Sequence, residues 1–219
     1  MFSGVVSCVQ AQTATGREGQ DMRQTIGMVE AAERGDLSAI NRLIIVGTSV
    51  DVRDEMGRTP LLASVQNNQL EAFKLLMAEG ADINAVARNQ DTPWLLAGAL
   101  GRAEMLRLMI PKGPDLKLRN RFGGTALIPA CERGHVEAIR VLLGTAIDVN
   151  HVNNLGWTCL LEIAILGSDD ERHLEAARLV LAAGARTDIA DRKGVTALGH
   201  ARARGLTRLT MIIAAAGGR

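Results

Sequence analysis

The sequence predicts an all-α protein made of repeated helix–turn–helix units. Three observations predict it. Threonine recurs at a fixed interval, each threonine precedes a segment with the aliphatic spacing of two short helices, and aromatic residues are scarce, with three Phe, two Trp and no Tyr among 219 residues. Sheet-rich folds ordinarily need more aromatic side chains. Self-similarity at a fixed period indicates units that bury their apolar faces against their neighbours.

Five of the predicted repeats begin at a threonine. The interval is 33 residues along the series Thr59, Thr92, Thr125 and Thr158, and 38 residues from there to Thr196. We expect each threonine to cap a first helix, because its side-chain oxygen can accept a main-chain N–H. An entry copy without the threonine begins near Ile26. The predicted repeats are 26–58, 59–91, 92–124, 125–157, 158–195 and 196–219, and residues 1–25 precede them as a leader.

Two turns complete each unit. Nine residues after each threonine stands Asn68 or a glycine, which tolerate left-handed backbone and can end the first helix. A second helix follows, with aliphatic residues three and four positions apart. The unit ends in a four-residue turn with Asp or Asn first and Gly fourth, the composition of a type I turn. These turns are expected at 54–57, 120–123, 153–156 and 191–194, whereas the second copy departs from the pattern at Ala87 and Gln90.

This pattern resembles the ankyrin repeat. The resemblance extends from Ile26 to Gly218 in six copies, and stretches such as RFGGTALIPACERGH and NNLGWTCLLEIAILG are similar to small bacterial ankyrin-repeat proteins. It implies a solenoid of stacked helix pairs with a concave face that binds a protein. The sequence departs from the family where the usual histidine of the first helix is replaced, at Leu62, Leu95, Ile128, Leu161 and Gly199.

Two irregularities interrupt the repeat. Pro129 falls in the first turn of its helix, where proline removes one main-chain hydrogen bond. The segment Ser168–Arg172 is inserted between the two helices of the fifth copy, and it carries three consecutive acidic residues. We expect a solvated loop there, with a closure cost below about 1 kcal/mol, or a second contact point for a partner.

Composition and motifs disfavour several classes of function. The net charge is +1 and no basic stretch is interleaved with aromatic residues, which disfavours nucleic acid as a partner. No apolar run reaches the roughly 18 residues of a membrane span. Motifs for phosphate, zinc or nucleophilic chemistry are missing, so we expect no enzyme, no metal site and no cofactor. His135 and His173 should make local hydrogen bonds, and Cys131 and Cys159 should pack as thiols rather than frame the fold with a disulfide.

The N-terminal stretch Met1–Ala11 admits two interpretations. It ends in small residues after a short apolar run, as the end of a secretory signal does, but it has no basic segment. If it is such a signal, the protein is periplasmic and Cys8 is a possible lipidation site. Otherwise the stretch is an unstructured leader and the protein is cytoplasmic.

The candidate partner site lies on the predicted concave face, at the hairpin tips and the ends of the first helices. An apolar and aromatic centre with an arginine rim is typical of an interface hot spot. The alternative is that Trp157 and Ile165 pack under neighbouring hairpins, as Trp94 and Phe73 are expected to pack in the core. The predicted partner-binding residues are Arg88, Leu100, Arg121, Phe122, Arg133, Asn154, Leu155, Trp157, Ile165 and Leu166.

The sequence therefore favours a non-enzymatic, monomeric scaffold that binds an unidentified protein. One alternative is an exported stress-protection factor that supports another enzyme. The other is a small-ligand-binding protein or an enzyme, which would need a deep polar pocket with shifted titratable groups.

Overall fold

The structure, a computed structural model, describes residues 27–218. The predictions for residues 1–25, including the segment Met1–Ala11, lie outside the described residues. The chain divides into two compact units between Asp82 and Ile83. This division falls inside the predicted repeat 59–91, so the repeat bounds stay a prediction. Among the described residues, no helix is both long enough and apolar enough to cross a membrane.

The first unit contains four helices in its described part, which are α1 (27–34), α2 (Leu37–Ile45), α3 (Pro60–Gln66) and α4 (Leu70–Ala78). Helix α4 packs against both α2 and α3. The largest fully buried side chains at their centre are Met28, Ile40, Leu61, Phe73 and Leu76. Arg58 ties the loop before α3 to α1, because its guanidinium donates to Asp54 at 2.7 Å and to Glu33 at 2.6 Å.

The second unit is a two-layer stack of helix pairs. Its described helices are α5 (Pro93–Ala99), α6 (Ala103–Met109), α7 (Leu127–Glu132), α8 (Val136–Leu143), α9 (Cys159–Leu166), α10 (Glu171–Ala182), α11 (Ala197–Ala203) and α12 (Thr207–Ala215). In one layer α5, α7, α9 and α11 pack in sequence order, and in the other α6, α8, α10 and α12 do the same. Each odd-numbered helix also packs on the even-numbered helix that follows it.

The contact between α5 and α7 depends on small residues. Gly98 of α5 faces the backbone of Ala126, and a Cβ atom added at Gly98 would lie 2.5 Å from the Ala126 carbonyl oxygen. A real Cβ cannot approach main chain so closely, so glycine sets the spacing of this layer. Trp94, also on α5, is 1% exposed and belongs to the core, as the sequence predicts.

Threonine capping is confirmed at Thr59, Thr92, Thr158 and Thr196, each of which accepts the main-chain N–H three residues on. The prediction was wrong for Thr125. Helix α7 begins two residues later, at Leu127, and the Thr125 hydroxyl is buried without a partner among the described residues. Pro129 explains the difference. At the first of these caps Ala63 donates its N–H to the Thr59 carbonyl oxygen at 3.0 Å, and at the equivalent place Pro129 has no N–H to donate.

In the predicted hairpin turns, one side-chain oxygen of the first residue accepts two main-chain N–H groups. Asn120 Oδ1 accepts the N–H groups of Phe122 at 3.0 Å and Gly124 at 2.9 Å. Asp54, Asn153 and Asp191 do the same in their turns. In the second copy Gln90 takes a left-handed φ of 66°, so its unusual sequence still makes a tight turn.

The expectation of a solvated loop at Ser168–Arg172 is correct only for residues 168–170, which are partly exposed and lie outside any helix. Helix α10 begins inside this segment, and Asp170 caps it by accepting the N–H of His173 at 3.0 Å. Asp169 reaches the next helix pair, where it accepts the N–H groups of Arg208 and Leu209 at 2.9 Å each. Helix α12 has no side-chain cap on its own N-cap residue, so the insert supplies one to the last helix.

The expectation of free cysteines was also wrong, because Cys131 and Cys159 form a disulfide. Helices α7 and α9 lie side by side and place the two Cα atoms 5.5 Å apart, within the range that a disulfide spans. The two residues are 0% and 1% exposed. The covalent bond therefore joins two neighbouring first helices, which also form the walls of the cleft described next.

Candidate functional site

The principal cleft of the second unit lies between two hairpin turns and helices α7 and α9. Its volume is about 380 Å³, and its lining includes Phe122, Glu132, Leu155, Trp157 and Glu162. A neighbouring cleft of about 240 Å³ lies toward α5 and includes Leu96 and Leu100. The two clefts share a wall formed by Asn120, Arg121, Phe122, Pro129, Glu132 and Arg133.

Apolar side chains at the principal cleft are exposed to solvent. Phe122 is 52% exposed, Leu155 is 49% exposed and Leu166 is 50% exposed, whereas Trp157 is half-buried. The turn geometry explains the exposure of Phe122 and Leu155, because the side chains of Asn120 and Asn153 accept their main-chain N–H groups and hold them at the hairpin tips. Large apolar groups gathered around one concavity, rather than scattered singly, indicate a binding surface.

Two arginines of the shared wall are already held by protein groups. The Arg121 guanidinium lies over the Phe122 ring, 4.7 Å from its centroid, as a cation–π pair. Arg133 Nη1 donates to the Ala99 carbonyl oxygen at 2.5 Å. Arginines fixed in this way can present remaining N–H groups to a partner without a large loss of side-chain entropy.

Glu162 is the buried acidic residue of the principal cleft. It lies on α9 and is 4% exposed. Asn153 Nδ2 donates to its Oε1 at 2.9 Å, and its Oε2 has no hydrogen-bond partner among the described residues. Burial, and next the negative charge of Glu132, raise the pKa of Glu162 to about 7. The carboxyl therefore changes between its protonated and its ionised form near neutral pH, which is unusual for a glutamate.

Seven of the ten predicted partner-binding residues line one cleft or both. They are Leu100, Arg121, Phe122, Arg133, Leu155, Trp157 and Leu166. The lining of these clefts does not include Arg88, Asn154 or Ile165. Asn154 instead donates its N–H to the Phe122 carbonyl oxygen at 2.9 Å and joins the two hairpins.

Sequence reasoning missed Glu162 and Asn153. The available signal was one charged residue inside the apolar stretch Cys159–Leu166, at a position where the corresponding residues of three other copies are Ala63, Leu96 and Pro129. A charge that interrupts a buried face demands a partner or a function.

The histidines serve local structure, as expected for His173. Its Nε2 donates to the Glu132 carbonyl oxygen at 3.1 Å, and its Nδ1 lies 2.9 Å from Asp170 Oδ1 and 3.2 Å from Ser168 Oγ. Although these are the residue types of a hydrolytic triad, serine and aspartate meet the same ring nitrogen, so the serine is not positioned as in a triad. The Asp170 carboxylate also accepts the main-chain N–H of His173, which is the largest cause that lowers its pKa.

Two further histidines have partners that the sequence did not reveal. His151 Nε2 donates to the Gly123 carbonyl oxygen at 2.6 Å, and His200 Nε2 is 2.8 Å from Asp191 Oδ2. Within residues 27–218, no group of three or more His, Cys, Asp or Glu side chains could hold a metal ion. The side chains that line the principal cleft therefore offer apolar contact and arginine N–H donation, and they include Glu162, whose buried Oε2 has no partner among residues 27–218.

Comparisons with known proteins agree with this architecture. A family model described as ankyrin repeats (3 copies) matches residues 28–120 and 94–191. Comparison with curated proteins gives no match. An ankyrin repeat domain from Acinetobacter baumannii AYE is 44% identical with a TM-score of 0.83, and the match covers 88% of this chain and 98% of that chain.

Two other solved structures extend the comparison. The ankyrin repeat protein EF0377 is 37% identical with a TM-score of 0.81, over 86% of this chain and 96% of that chain. A chain from the complex of the Bd0816 predatory endopeptidase of Bdellovibrio bacteriovorus with immunity protein Bd3460 shares the fold, at 22% identity and a TM-score of 0.74, over 86% of this chain and 97% of that chain. The predicted fold class is confirmed, and the chain belongs to the ankyrin repeat family.

Proposed function

We propose that this protein is a non-enzymatic scaffold that docks a protein partner on the two adjoining clefts of its second unit. Ankyrin repeats generally mediate protein–protein interaction. The observation that carries the proposal is the group of half-exposed apolar residues, Phe122, Leu155 and Leu166, around one cleft. Arg121 and Arg133 beside them supply the polar rim that hot spots require.

The size of the partner contact follows from the size of a stable interface. Such an interface buries about 800 Å² on each side, which is more than one small cleft provides. The partner is therefore expected to cover both clefts and the wall between them. The residues proposed to contact it are Leu100, Arg121, Phe122, Arg133, Leu155, Trp157 and Leu166.

Site-specific photocrosslinking in the cells that produce the protein tests this proposal. A photoreactive amino acid at Leu155 should capture a discrete protein. The matched control places it at Met211, which is 59% exposed on α12 and lines neither cleft. The same adducts from both positions, or none from Leu155, would contradict the proposed docking surface.

The disulfide supports the exported form of this scaffold as a second candidate function. Disulfides persist in oxidising compartments such as the bacterial periplasm and are rare in the cytosol. Because Cys131 and Cys159 are bonded, we propose that the protein acts where disulfides form, with an enzyme of the same compartment as its partner. Alkylation of the protein from acid-quenched cells, after denaturation without a reductant, should leave both cysteines unmodified. Full alkylation of either one under these conditions would count against export.

A further inference from the structure

We propose that the principal cleft receives one basic side chain, a lysine or an arginine, from the protein partner, and that the Glu162 carboxylate binds it. This inference rests on the proposed function and specifies the chemistry that the partner must present. Its basis is an unsatisfied buried group at the cleft, together with the charges and the aromatic surface around that group.

The unsatisfied group is one oxygen of Glu162. The side chain is more than nine-tenths buried and lines the cleft, and among residues 27–218 only its Oε1 has a donor, from Asn153. A buried acceptor without a donor destabilises the folded protein, and more so when it is charged. The hydrogen bond to the Asn153 turn uses only one of the two carboxyl oxygens, so it does not account for the second. An incoming ammonium or guanidinium group supplies the missing donor.

The carboxylate of Glu132 favours a cation over a neutral donor at Glu162. Glu132 lines the same cleft, and its negative charge is the second cause, after burial, that raises the pKa of Glu162. Arg121 and Arg133 also line the cleft, but their guanidinium groups contact the Phe122 ring and the Ala99 carbonyl oxygen rather than Glu162. A cation placed near both carboxylates would lower their mutual repulsion and return Glu162 to its ionised form.

The walls of the cleft suit the rest of a basic side chain. Trp157 and Leu166 line it with Glu162. Lysine and arginine carry an aliphatic stem that packs on apolar surface, and their charged ends attract the faces of aromatic rings. One side chain can therefore make apolar contact along the cleft while its charged end pairs with the carboxylate.

Selection from a displayed library of random dodecapeptides on the full-length chain tests the inference without knowledge of the natural partner. The selected peptides should share a lysine or an arginine. Replacing that residue by norleucine in a selected peptide should lower affinity about tenfold or more, the value of one charge-assisted hydrogen bond. Glu162→Gln should cause a similar loss for the basic peptide and none for the norleucine peptide. Glu137→Gln, which removes an exposed charge on α8, is the matched control.

The pH dependence provides a second readout that a purely structural role would not move. Between pH 6 and pH 8 the ionised fraction of a group with a pKa of about 7 rises about tenfold, so the affinity of the basic peptide should rise about tenfold. The other charged side chains that line the cleft are Glu132, Arg121 and Arg133. With Glu162→Gln the affinity should be flat.

The outcomes separate this inference from the function on which it rests. Selected peptides that lack a basic residue, or that bind Glu162→Gln as tightly as the natural protein while its circular dichroism is unchanged, would overturn the inference alone. If a variant with both Phe122→Ala and Trp157→Ala enriches the same peptides equally well, the docking surface itself is wrong.

Discussion

The substitution Glu162→Gln should reveal a pH-dependent cost in the stability of the free protein. The carboxyl has a pKa near 4.5 when exposed and about 7 in the folded protein, because burial and Glu132 disfavour its ionised form. Below pH 4.5 both the folded and the unfolded chain hold the proton, and the stability is greatest. As pH rises from 4.5 to 7, the unfolded chain loses the proton first, so stability falls.

The size of this effect follows from the pKa shift. At about 1.4 kcal/mol for each pH unit, a rise from 4.5 to about 7 corresponds to about 3 kcal/mol of lost stability above pH 7. Glutamine has the same shape, keeps an oxygen that can accept the Asn153 amide, and does not titrate. The variant should therefore match the natural protein near pH 4.5 and exceed it by about 3 kcal/mol above pH 7.

Urea denaturation followed by circular dichroism at a series of pH values measures this difference. Glu137→Gln controls for the change in net charge, because Glu137 is exposed on α8. If the natural protein and Glu162→Gln keep a constant difference in free energy of unfolding from pH 4.5 to pH 8, the pKa of Glu162 is not raised by folding.

Three further predictions concern the scaffold. Cys131→Ala combined with Cys159→Ala should lower the free energy of unfolding in urea by about 3–4 kcal/mol, since the disulfide closes a loop with a sequence separation of 28. Equal stability of the natural protein with and without a reducing agent would show that the disulfide does not stabilise the fold. Gly98→Ala should lower the free energy of unfolding by about 1–3 kcal/mol, because the added methyl group clashes with Ala126, even though alanine favours helices. The control Gly27→Ala should not lower it, since the nearest atom to the added methyl group would be 3.9 Å away. If Gly98→Ala stabilises the protein, the contact with Ala126 is not tight. Asp169→Ala should cost about 1 kcal/mol and speed hydrogen exchange in α12, whose first N–H groups it caps, and unchanged exchange there would show that the insert does not hold the last helix.

Most of the fold could be predicted because its signals are local. A threonine cap, a turn residue nine positions later and an Asx turn each act within a few residues and recur in most copies. The turn residue of the fifth copy differs, because Gly167 is extended, with a φ of −69°, rather than left-handed. Thr125 failed for a reason that is also local, the missing N–H of Pro129. Even the unusual Gln90 turn keeps the backbone of the repeat.

Features that depend on contacts between repeats were harder to predict. The disulfide joins residues whose separation of 28 has no special meaning until α7 and α9 lie side by side. Asp169 caps a helix in the following repeat, and the sequence around Asp169 gives no sign of this contact. The hairpin-tip residues of the site followed from the repeat register, whereas Glu162 is recognisable only once the cleft and its unpaired oxygen are known.

We propose that the exposed apolar surface around the principal cleft docks a protein. Once photocrosslinking has identified the partner, the affinity of the separately purified partner can be measured for the variant carrying Phe122→Ala and Trp157→Ala and for Met211→Ala. We expect a loss of about a hundredfold for the double variant, as for hot-spot aromatic residues, with its circular dichroism unchanged and with no loss for Met211→Ala. An unchanged affinity in a double variant that is still folded would contradict it.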